Sequence, residues 1–417
     1  MSVQTQIGRI TAAVGAAYDA VTAKGGTAPQ TETVAGLADA IGTIPSGGGS
    51  STPVAPGDIT FYDYDGTVAA AWSLAELAGK TALPELPSHA GLICQGWNWS
   101  LADLKTTNRK MNVGAMYITD DGKTRIYIRL EEGRTSPMLG CCPNGTVTVD
   151  WGDGTTPDTL TGTSTSTVKW TPNHAYAAPG DYVIKLTVDG TMDFYGQKAT
   201  YGGSGILRYS SDSDGRNRAY QRGIKKIELG DGITSIGGYA FGNCYALASV
   251  TSPNSVARIG TYAFVECYAL ASVTIPNGVT SIESNTTRDC NSIATVAIPN
   301  DVTKIKSSAF SGCYALDSVT IPDSVTSIAG YAFYLCYSLA SVTIPNSVTS
   351  IVANTFANCI GTAFYDFTDM ASVPELLATN AFTNIPADCE IRVPAALVDE
   401  WKAATNWATY ADHIVGV

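Results

Sequence analysis

Six of the ten cysteines recur at one fixed spacing, and thiols are the most reactive groups that the repeat could present. Zinc sites draw their ligands from clustered cysteine and histidine, but the three histidines, His89, His174 and His413, lie outside the cysteine series. A nucleophilic thiol would need exposure and a low pKa. We therefore expect no metal and no cofactor. The six cysteines, each 23 residues from the next, are Cys244, Cys267, Cys290, Cys313, Cys336 and Cys359.

Carboxylates and hydroxyls in the repeats show no catalytic arrangement either. Glycoside hydrolysis needs two carboxylates a few ångströms apart, and in a repeat array such pairs would recur in register. The acidic residues instead occupy scattered repeat positions, and the sequence has neither a GxSxG elbow nor a phosphate-binding glycine loop after a strand. We predict that the protein is not an enzyme. The acids are Glu266, Glu283, Asp289, Asp301, Asp317 and Asp323.

Tyrosine follows the cysteine in four of the six repeats, at Tyr245, Tyr268, Tyr314 and Tyr337. Neighbouring coils of a stacked repeat lie about 5 Å apart, so these rings would form a nearly continuous strip. Aromatic rings with a hydroxyl tip suit both protein and sugar surfaces. The strip is either a binding surface or a stacking ladder that stabilises the turn.

Residues just before each cysteine vary between repeats, as do those three positions earlier, where Tyr239, Tyr262 and Tyr331 occur. Tyr334 and Leu335 stand where other repeats mostly have small or polar pairs. Exposed apolar residues at a turn indicate a contact surface, although neutral variation of a tolerant loop gives the same pattern. The candidate binding residues are Tyr239, Tyr245, Tyr262, Tyr268, Tyr314, Tyr331, Tyr334, Leu335 and Tyr337.

The framework around these positions is the pattern IxxxAFxxCxxLxxVxIPxxVxxI, which repeats through residues 224–394. A repeat of this length cannot bury its own apolar face, so the coils must stack as a solenoid with the recurring residues inside. The cysteine would be a small buried apolar residue, and the VTIP segment a strand that proline ends. The pattern resembles the BspA-like leucine-rich-repeat family of bacterial surface antigens.

Two places depart from a uniform array. The third repeat has Thr286 and Thr287 where the others mostly have Ala-Phe, which predicts a core defect or a bulge that exposes polar groups. The end of a solenoid needs a cap because it would otherwise expose apolar surface. We expect residues 395–417 to form this cap, with a helix over 395–405 and Trp401 in its core.

Residues 112–190 are rich in alternating segments and contain WGDGT at Trp151–Thr155, HAY at His174–Tyr176 and PGDY at Pro179–Tyr182. Gly152 and Gly154 would allow the positive φ of a tight turn. The pattern resembles the PKD-type immunoglobulin-like β-sandwich. The pattern of residues 57–111 predicts a small α+β module to which we can attach no chemistry. Residues 191–223 are expected to form a connecting loop.

The N-terminal residues 1–44 predict two short amphipathic helices, joined by a flexible linker at 45–56 to the rest of the chain. Short helices of this kind need a partner to bury their apolar face, although a self-contained helical hairpin is the alternative. The segment resembles the N-terminal segment of tail and tail-fibre proteins of phages and prophages. The resemblance implies docking to other virion proteins through 1–44 or a homo-oligomer, with a trimer favoured.

The net charge of −12 disfavours a nucleic-acid partner, no apolar run is long enough for a bilayer, and the N-terminus lacks the pattern of a secretory signal. We expect a multidomain, tail-fibre-like protein of the virion tail, acting at the exterior of the host cell. Its solenoid would bind a bacterial surface protein or polysaccharide. The alternatives are a structural decoration or spacer protein of the virion, and a bacterial cell-surface adhesin.

Overall fold

The computed structural model of the chain describes residues 57–107, 109–164, 167–194, 205–208 and 218–417. The helices predicted in 1–44, the linker at 45–56 and most of the loop predicted at 191–223 lie outside these ranges. Residues 55–417 belong to one compact unit. None of the helices in the described ranges has the length and apolar character that a membrane crossing requires.

The first module is a four-stranded sheet with two short helices. Its strands lie in the order β2-β1-β4-β3, and Phe61 packs between the edges of Trp72 and Trp97, with ring centroids 4.7 and 5.1 Å away. The predicted boundary between 111 and 112 falls inside this sheet, because β4 pairs with both β1 and β3. The elements are β1 (Ile59–Tyr62), β2 (Val68–Trp72), α1 (Leu74–Gly79), β3 (Leu92–Trp97), α2 (Leu101–Thr107) and β4 (Met111–Thr119).

The second module is β-rich, as the alternating segments predicted, but its strands continue into the repeats. One strand, β5, pairs antiparallel with the first repeat strand, β11 (Ile224–Glu228), and β9 pairs in parallel with β12 (Ile233–Ile236). The prediction of a connecting loop at 191–223 is wrong for most of the described residues there, because they form the end of β9, the strand β10 and a helix, α3 (Arg218–Gly223), that leads into β11. The module therefore caps the start of the solenoid. Its strands are β5 (Thr124–Leu130), β6 (Met138–Asp150), β7 (Asp158–Thr163), β8 (Lys169–Trp170), β9 (Gly180–Phe194) and β10 (Leu207–Arg208).

The WGDGT and HAY motifs meet in this second module. The Trp151 ring is buried and stacks on His174, with centroids 4.6 Å apart, and the Tyr176 hydroxyl donates to the Trp151 carbonyl at 2.9 Å. His174 Nε2 lies 2.8 Å from the Asp153 carboxylate. Both glycines of the turn have positive φ, 76° and 82°. These residues therefore hold the turn in place and fill the core of the second module.

Each coil of the solenoid contributes strands to two parallel ladders. The predicted VTIP strands pair in register along the first ladder. The second ladder, formed by the segment before each turn, was not predicted. The first ladder runs unbroken through β15 (Ser272–Thr274), β17 (Thr295–Ala297), β19 (Ser318–Val319), β21 (Ser341–Thr343), β23 (Phe364–Asp366), β25 (Glu390–Val393) and β26 (Ile414–Gly416), while the preceding strand of this series, β13 (Ser249–Val250), pairs with β11. The second ladder is interrupted: β14 (Arg258–Ile259) pairs with β12, β16 (Ser281–Ile282) pairs with β18 (Lys304–Ile305) and β18 with β20 (Ser327–Ile328), and β22 (Ser350–Ile351) pairs with β24 (Glu375–Leu376).

The defect expected in the third repeat does not occur. Thr286 and Thr287 are buried, and their hydroxyls donate to the carbonyls of Glu283 at 2.7 Å and Ala309 at 2.8 Å. A buried hydroxyl costs little once it is hydrogen-bonded, so the coil keeps its register. The substitution does divide the phenylalanine column, since Phe264 has no ring to stack on in the next coil.

The α-helix of the C-terminal cap is shorter than the predicted helix over 395–405. A 3₁₀ turn (Ala395–Leu397) precedes α4 (Val398–Ala403), and a second 3₁₀ turn (Trp407–Tyr410) follows. Trp401 and Trp407 are fully buried with ring centroids 4.6 Å apart. The tryptophans therefore fill the end of the apolar core, as expected for a lid.

The first module lies on the strand face, which we define as the outward side chains of β15 to β25. The Asn98 amide donates to the carbonyls of Ile275 at 3.3 Å and Ala297 at 3.1 Å, and the Trp99 indole donates to that of Ile298 at 2.9 Å. Both side chains are buried in this contact. The strand face of the early coils is thus occupied by the chain's own module.

Candidate binding surface

The variable residues of each repeat lie at a turn edge, defined by residues 239–245 and their equivalents up to 354–360. Two residues in each turn adopt the left-handed conformation. Asparagine, aspartate and glycine tolerate it best, and several repeats use them. The exceptions are tyrosine at three turns, Glu266, Ser308, and Leu335 with φ of 62°. The left-handed positions are Tyr239, Asn243, Tyr262, Glu266, Asn285, Asp289, Ser308, Gly312, Tyr331, Leu335, Asn354 and Asn358.

The first tyrosine pair of the strip is held by charged neighbours. Tyr245 and Tyr268 stack with centroids 4.8 Å apart, and both hydroxyls donate to the Glu266 carboxylate, at 3.1 and 3.4 Å. The Arg222 guanidinium lies over the Tyr245 ring at 4.9 Å. Burial, followed by the Glu266 charge, raises the pKa of Tyr268 to about 12. This pair has most of the properties of the stacking ladder.

The second pair, Tyr314 and Tyr337, is stacked but not otherwise held. The rings are nearly parallel, 11° apart, with centroids separated by 4.9 Å. Both residues are close to two-fifths exposed, as Tyr268 is, so the two pairs differ in their hydroxyl contacts and not in this exposure. Within the described ranges neither hydroxyl has a hydrogen-bonding partner. Ile360 occupies the same position in the last repeat and is 56% exposed. The pair and Ile360 form an open amphipathic surface.

The expected continuous strip is divided in two. Asn291 occupies the position between Tyr268 and Tyr314, and the same turn carries an ion pair between Arg288 and Asp289 at 3.1 Å. A coil with a charged turn therefore separates the two tyrosine pairs.

The other candidate residues divide in the same way. Tyr239 and Tyr262 stack at 4.5 Å and are half-buried. Tyr331 is exposed and contacts Tyr334 edge to face at 5.4 Å, while Leu335 is half-buried in the same turn. We call Tyr314, Tyr331, Tyr334, Leu335, Tyr337 and Ile360 the aromatic patch.

The family of the repeats follows from comparison with known sequences. Residues 216–336 and 304–394 match, in six copies, the family described as BspA type leucine-rich repeat region. This part of the chain is a BspA-type leucine-rich-repeat region. The resemblance that we inferred from the recurring motif is confirmed for these residues, whereas the PKD-type and tail-fibre resemblances stay predictions.

Solved structures with similarity to the chain include other repeat proteins. A leucine-rich repeat protein of T. pallidum is 26% identical over 44% of this chain and 83% of its own, with a TM-score of 0.34. A leucine-rich cell surface protein of Faecalibacterium prausnitzii is 23% identical over 36% and 61%, with a TM-score of 0.24. A leucine-rich repeat protein of Bacteroides ovatus is 19% identical over 50% of this chain and 81% of its own, with a TM-score of 0.28. None of the curated proteins matches the chain.

The cysteines of the BspA-type region form one dry column beneath the turn edge. All six are buried, and each thiol from the second onward lies 3.0 to 3.3 Å from a backbone carbonyl of the preceding coil. Burial raises the pKa of Cys267, Cys290, Cys313 and Cys336 well above the ordinary range. In the described part of the chain, no cluster of three or more potential metal ligands occurs. Cysteine thus combines a small apolar volume with an S–H donor, which the sequence pattern alone did not indicate.

Sequence reasoning missed several residues of potential function in the BspA-type region. Ile360 completes the aromatic patch, and Glu266 with Arg222 explains why the first tyrosine pair differs from the second. On the strand face, Phe364, Asp366 and Arg392 stand where earlier coils have serine, threonine or alanine. That departure from a polar, uncharged pattern is a signal that alignment of the repeats could have shown.

Proposed function

We propose that the protein is a non-enzymatic adhesion protein that binds a bacterial surface through the aromatic patch. The observation that carries this proposal is the contrast at the turn edge. Tyr314 and Tyr337 present stacked rings with open hydroxyls, whereas the equivalent pair at Tyr245 and Tyr268 is engaged within the protein.

The composition of the patch supports recognition. Tyrosine gives a large contact area with little loss of side-chain freedom and a polar tip for hydrogen bonding. The left-handed Leu335 adds to this argument, because bulky residues in that conformation cost about 1–2 kcal/mol and such strain concentrates at functional sites. The repeat half carries twice as many acidic as basic residues, which favours a neutral or basic surface protein or a polysaccharide as the partner.

The finer form of the proposal is a phage or prophage tail-fibre-like protein of the virion. Residues 1–44 would dock to other virion proteins or form a trimer, the β-rich module of PKD type would act as a spacer, and the repeats would face the host. The structural-spacer role and the bacterial surface adhesin remain the alternatives. Mass measurement by light scattering on the full chain and on residues 55–417 tests the N-terminal part, with a trimer expected only for the full chain.

The adhesion itself is tested by binding of the fluorescent full chain to a panel of whole bacterial strains. On a strain that binds, we expect Tyr314→Ala with Tyr337→Ala to weaken binding at least about tenfold, because about 1.4 kcal/mol of contact is lost. The matched control is Tyr245→Ala with Tyr268→Ala, which should bind nearly as well as the unmodified chain. Equal losses for both pairs would contradict the aromatic patch as the contact surface, and binding to no strain would favour the spacer role.

A further inference from the structure

The first module and the late coils enclose a cleft of about 660 Å³ that the proposed adhesion surface does not use. Its floor is the strand face from β19 to β25, and its wall is formed by the β1–β4 side of the module, which hydrogen-bonds to the near end of the floor through Asn112 and Thr320 at 3.0 Å. Two rows of outward residues run along the floor, Ser318, Ser341 and Phe364 in one row and Thr320, Thr343 and Asp366 in the other.

The cations of the cleft are already paired. Arg109 contacts Asp323, Lys110 lies 4.0 Å from Asp58, and Arg392 Nε donates to Glu390 at 2.7 Å. These ion pairs offset the positive charges, although the buried Nε and Nη1 of Arg109 have no hydrogen-bond partner among the described residues and remain free to donate.

Three carboxylates of the cleft are not paired, Asp317 at the end near the module and Asp366 and Asp369 at the far end. Among the described residues, no cation lies within ion-pair distance of Asp317, Asp366 or Asp369. Asp366 accepts two hydrogen bonds from Thr368 at 2.7 and 3.0 Å, which fixes its orientation. A ligand that donates hydroxyl hydrogens would gain charge-assisted hydrogen bonds from these groups, whereas an anionic ligand would be repelled.

Phe364 supplies an aromatic platform at the same end. The Arg392 guanidinium lies 3.8 Å from the ring centroid on one side, and the neighbour in the row on the other side is Ser341, whose side chain is too short to cover a ring. Ligand sites commonly combine one such apolar surface with a few placed polar groups. A peptide held by strand addition would need a free sheet edge, but this floor is a sheet face.

We propose that this cleft binds a neutral oligosaccharide, with Phe364 as the platform and Asp366 and Asp369 as hydrogen-bond acceptors. The site is separate from the aromatic patch, and its occupation does not depend on the adhesion proposed above. The floor rows run across successive coils, so an extended chain of several sugar units fits better than a single one.

The test is titration calorimetry of the full chain with maltotetraose, cellotetraose and N-acetylchitotetraose, and with tetragalacturonate as the anionic probe. We expect at least one neutral tetrasaccharide to bind and tetragalacturonate to bind more weakly. Phe364→Ala should weaken binding about tenfold, or about 1.4 kcal/mol, and the exposed Asp369→Asn a few-fold. Leu377→Ala and Asp301→Asn, exposed outside the cleft, are the matched controls.

Several results would overturn the assignment. These are the absence of binding by all three neutral sugars, tighter binding of tetragalacturonate, unchanged affinity in both cleft variants, or binding of a serine-rich hexapeptide in place of the sugars. Thermal unfolding of each variant checks the fold, and Asp369→Asn keeps the test valid if Phe364→Ala is destabilised. The double variant at Tyr314 and Tyr337 should retain the sugar affinity, which separates this site from the adhesion surface.

Discussion

At Tyr245 and Tyr268, a carboxylate and a guanidinium tie the stacked rings to the protein, whereas Tyr314 and Tyr337 present the same repeat positions without such ties. The strand face shows a parallel difference. Its early coils carry the docked module, and its late coils line an open cleft. The same 23-residue framework therefore serves cohesion within the chain at one end and presents free surface at the other.

This comparison assumes that one continuous cysteine column lies beneath both tyrosine pairs. The dependence of the unfolding free energy on alkaline pH tests this assumption and has the largest expected effect. Burial raises the pKa of Cys290 and Cys313 well above the ordinary range and that of Cys359 to about 12. Unfolded thiols lose their protons near pH 8.5. Above that pH the folded state binds more protons than the unfolded state, so stability falls as pH rises towards the folded pKa.

The expected loss is about 1.4 kcal/mol per pH unit above about pH 8.5 for each thiol whose pKa is raised, which are Cys267, Cys290, Cys313, Cys336 and Cys359. Urea unfolding at pH 8, 9 and 10 measures it. The variant Cys359→Ala should show a smaller pH dependence, by one proton, than the unmodified chain. An identical slope in both proteins would contradict the buried column.

Removal of the Trp99 ring tests how firmly the early coils hold the first module. Trp99 is buried and its indole donates to the Ile298 carbonyl, so Trp99→Ala should cost about 3–5 kcal/mol. Hydrogen exchange should also become faster in the strand Thr295–Ala297. Ile93→Ala, at a side chain 53% exposed in the same module, should cost no more than about 0.5 kcal/mol. Similar unfolding free energies for the two variants would mean that the module is not docked.

Single tyrosine variants sharpen the difference between the two pairs. Tyr245→Ala removes a stack, a hydrogen bond to Glu266 and the Arg222 contact, and should lower the unfolding free energy by about 1–2 kcal/mol. Tyr337→Ala removes only the stack and should cost about half as much. Chemical denaturation of both variants measures this, and the reverse order of stabilities would break the comparison.

Relief of the left-handed conformation at Leu335 has an effect of the opposite sign. Leu335→Gly should stabilise the protein by about 1 kcal/mol, because glycine adopts positive φ without steric cost, and should weaken cell binding. Asn358→Gly is the matched control at the next coil, where asparagine already tolerates the conformation, and it should leave both properties nearly unchanged. A destabilised Leu335→Gly would show that the side chain is held for packing.

The repeat framework could be predicted from sequence because seven positions return together in most of the coils. The arrangement of the first module could not, since nothing local to Asn98 and Trp99 shows that their partners lie about 200 residues later in the chain. The fate of Thr286 and Thr287 depended on carbonyls that happen to be within reach of their hydroxyls. The tyrosines were found as a column, but which of them are free depended on Glu266, Arg222 and Asn291, whose contacts are specific to individual coils.

Both ends of the stack are closed by elements that differ from the coils, β5 against the first strand and the tryptophan lid with β26 at the last. Among the described residues, the hydrogen bonds and ion pairs between the first module and the coils extend as far as Asp323. A unit of 23 residues gained or lost beyond that point would leave either terminus intact and move the lid by about 5 Å, one inter-strand spacing. The length of the solenoid and the number of its late turns can therefore change by whole coils, while the elements that close its two ends stay the same.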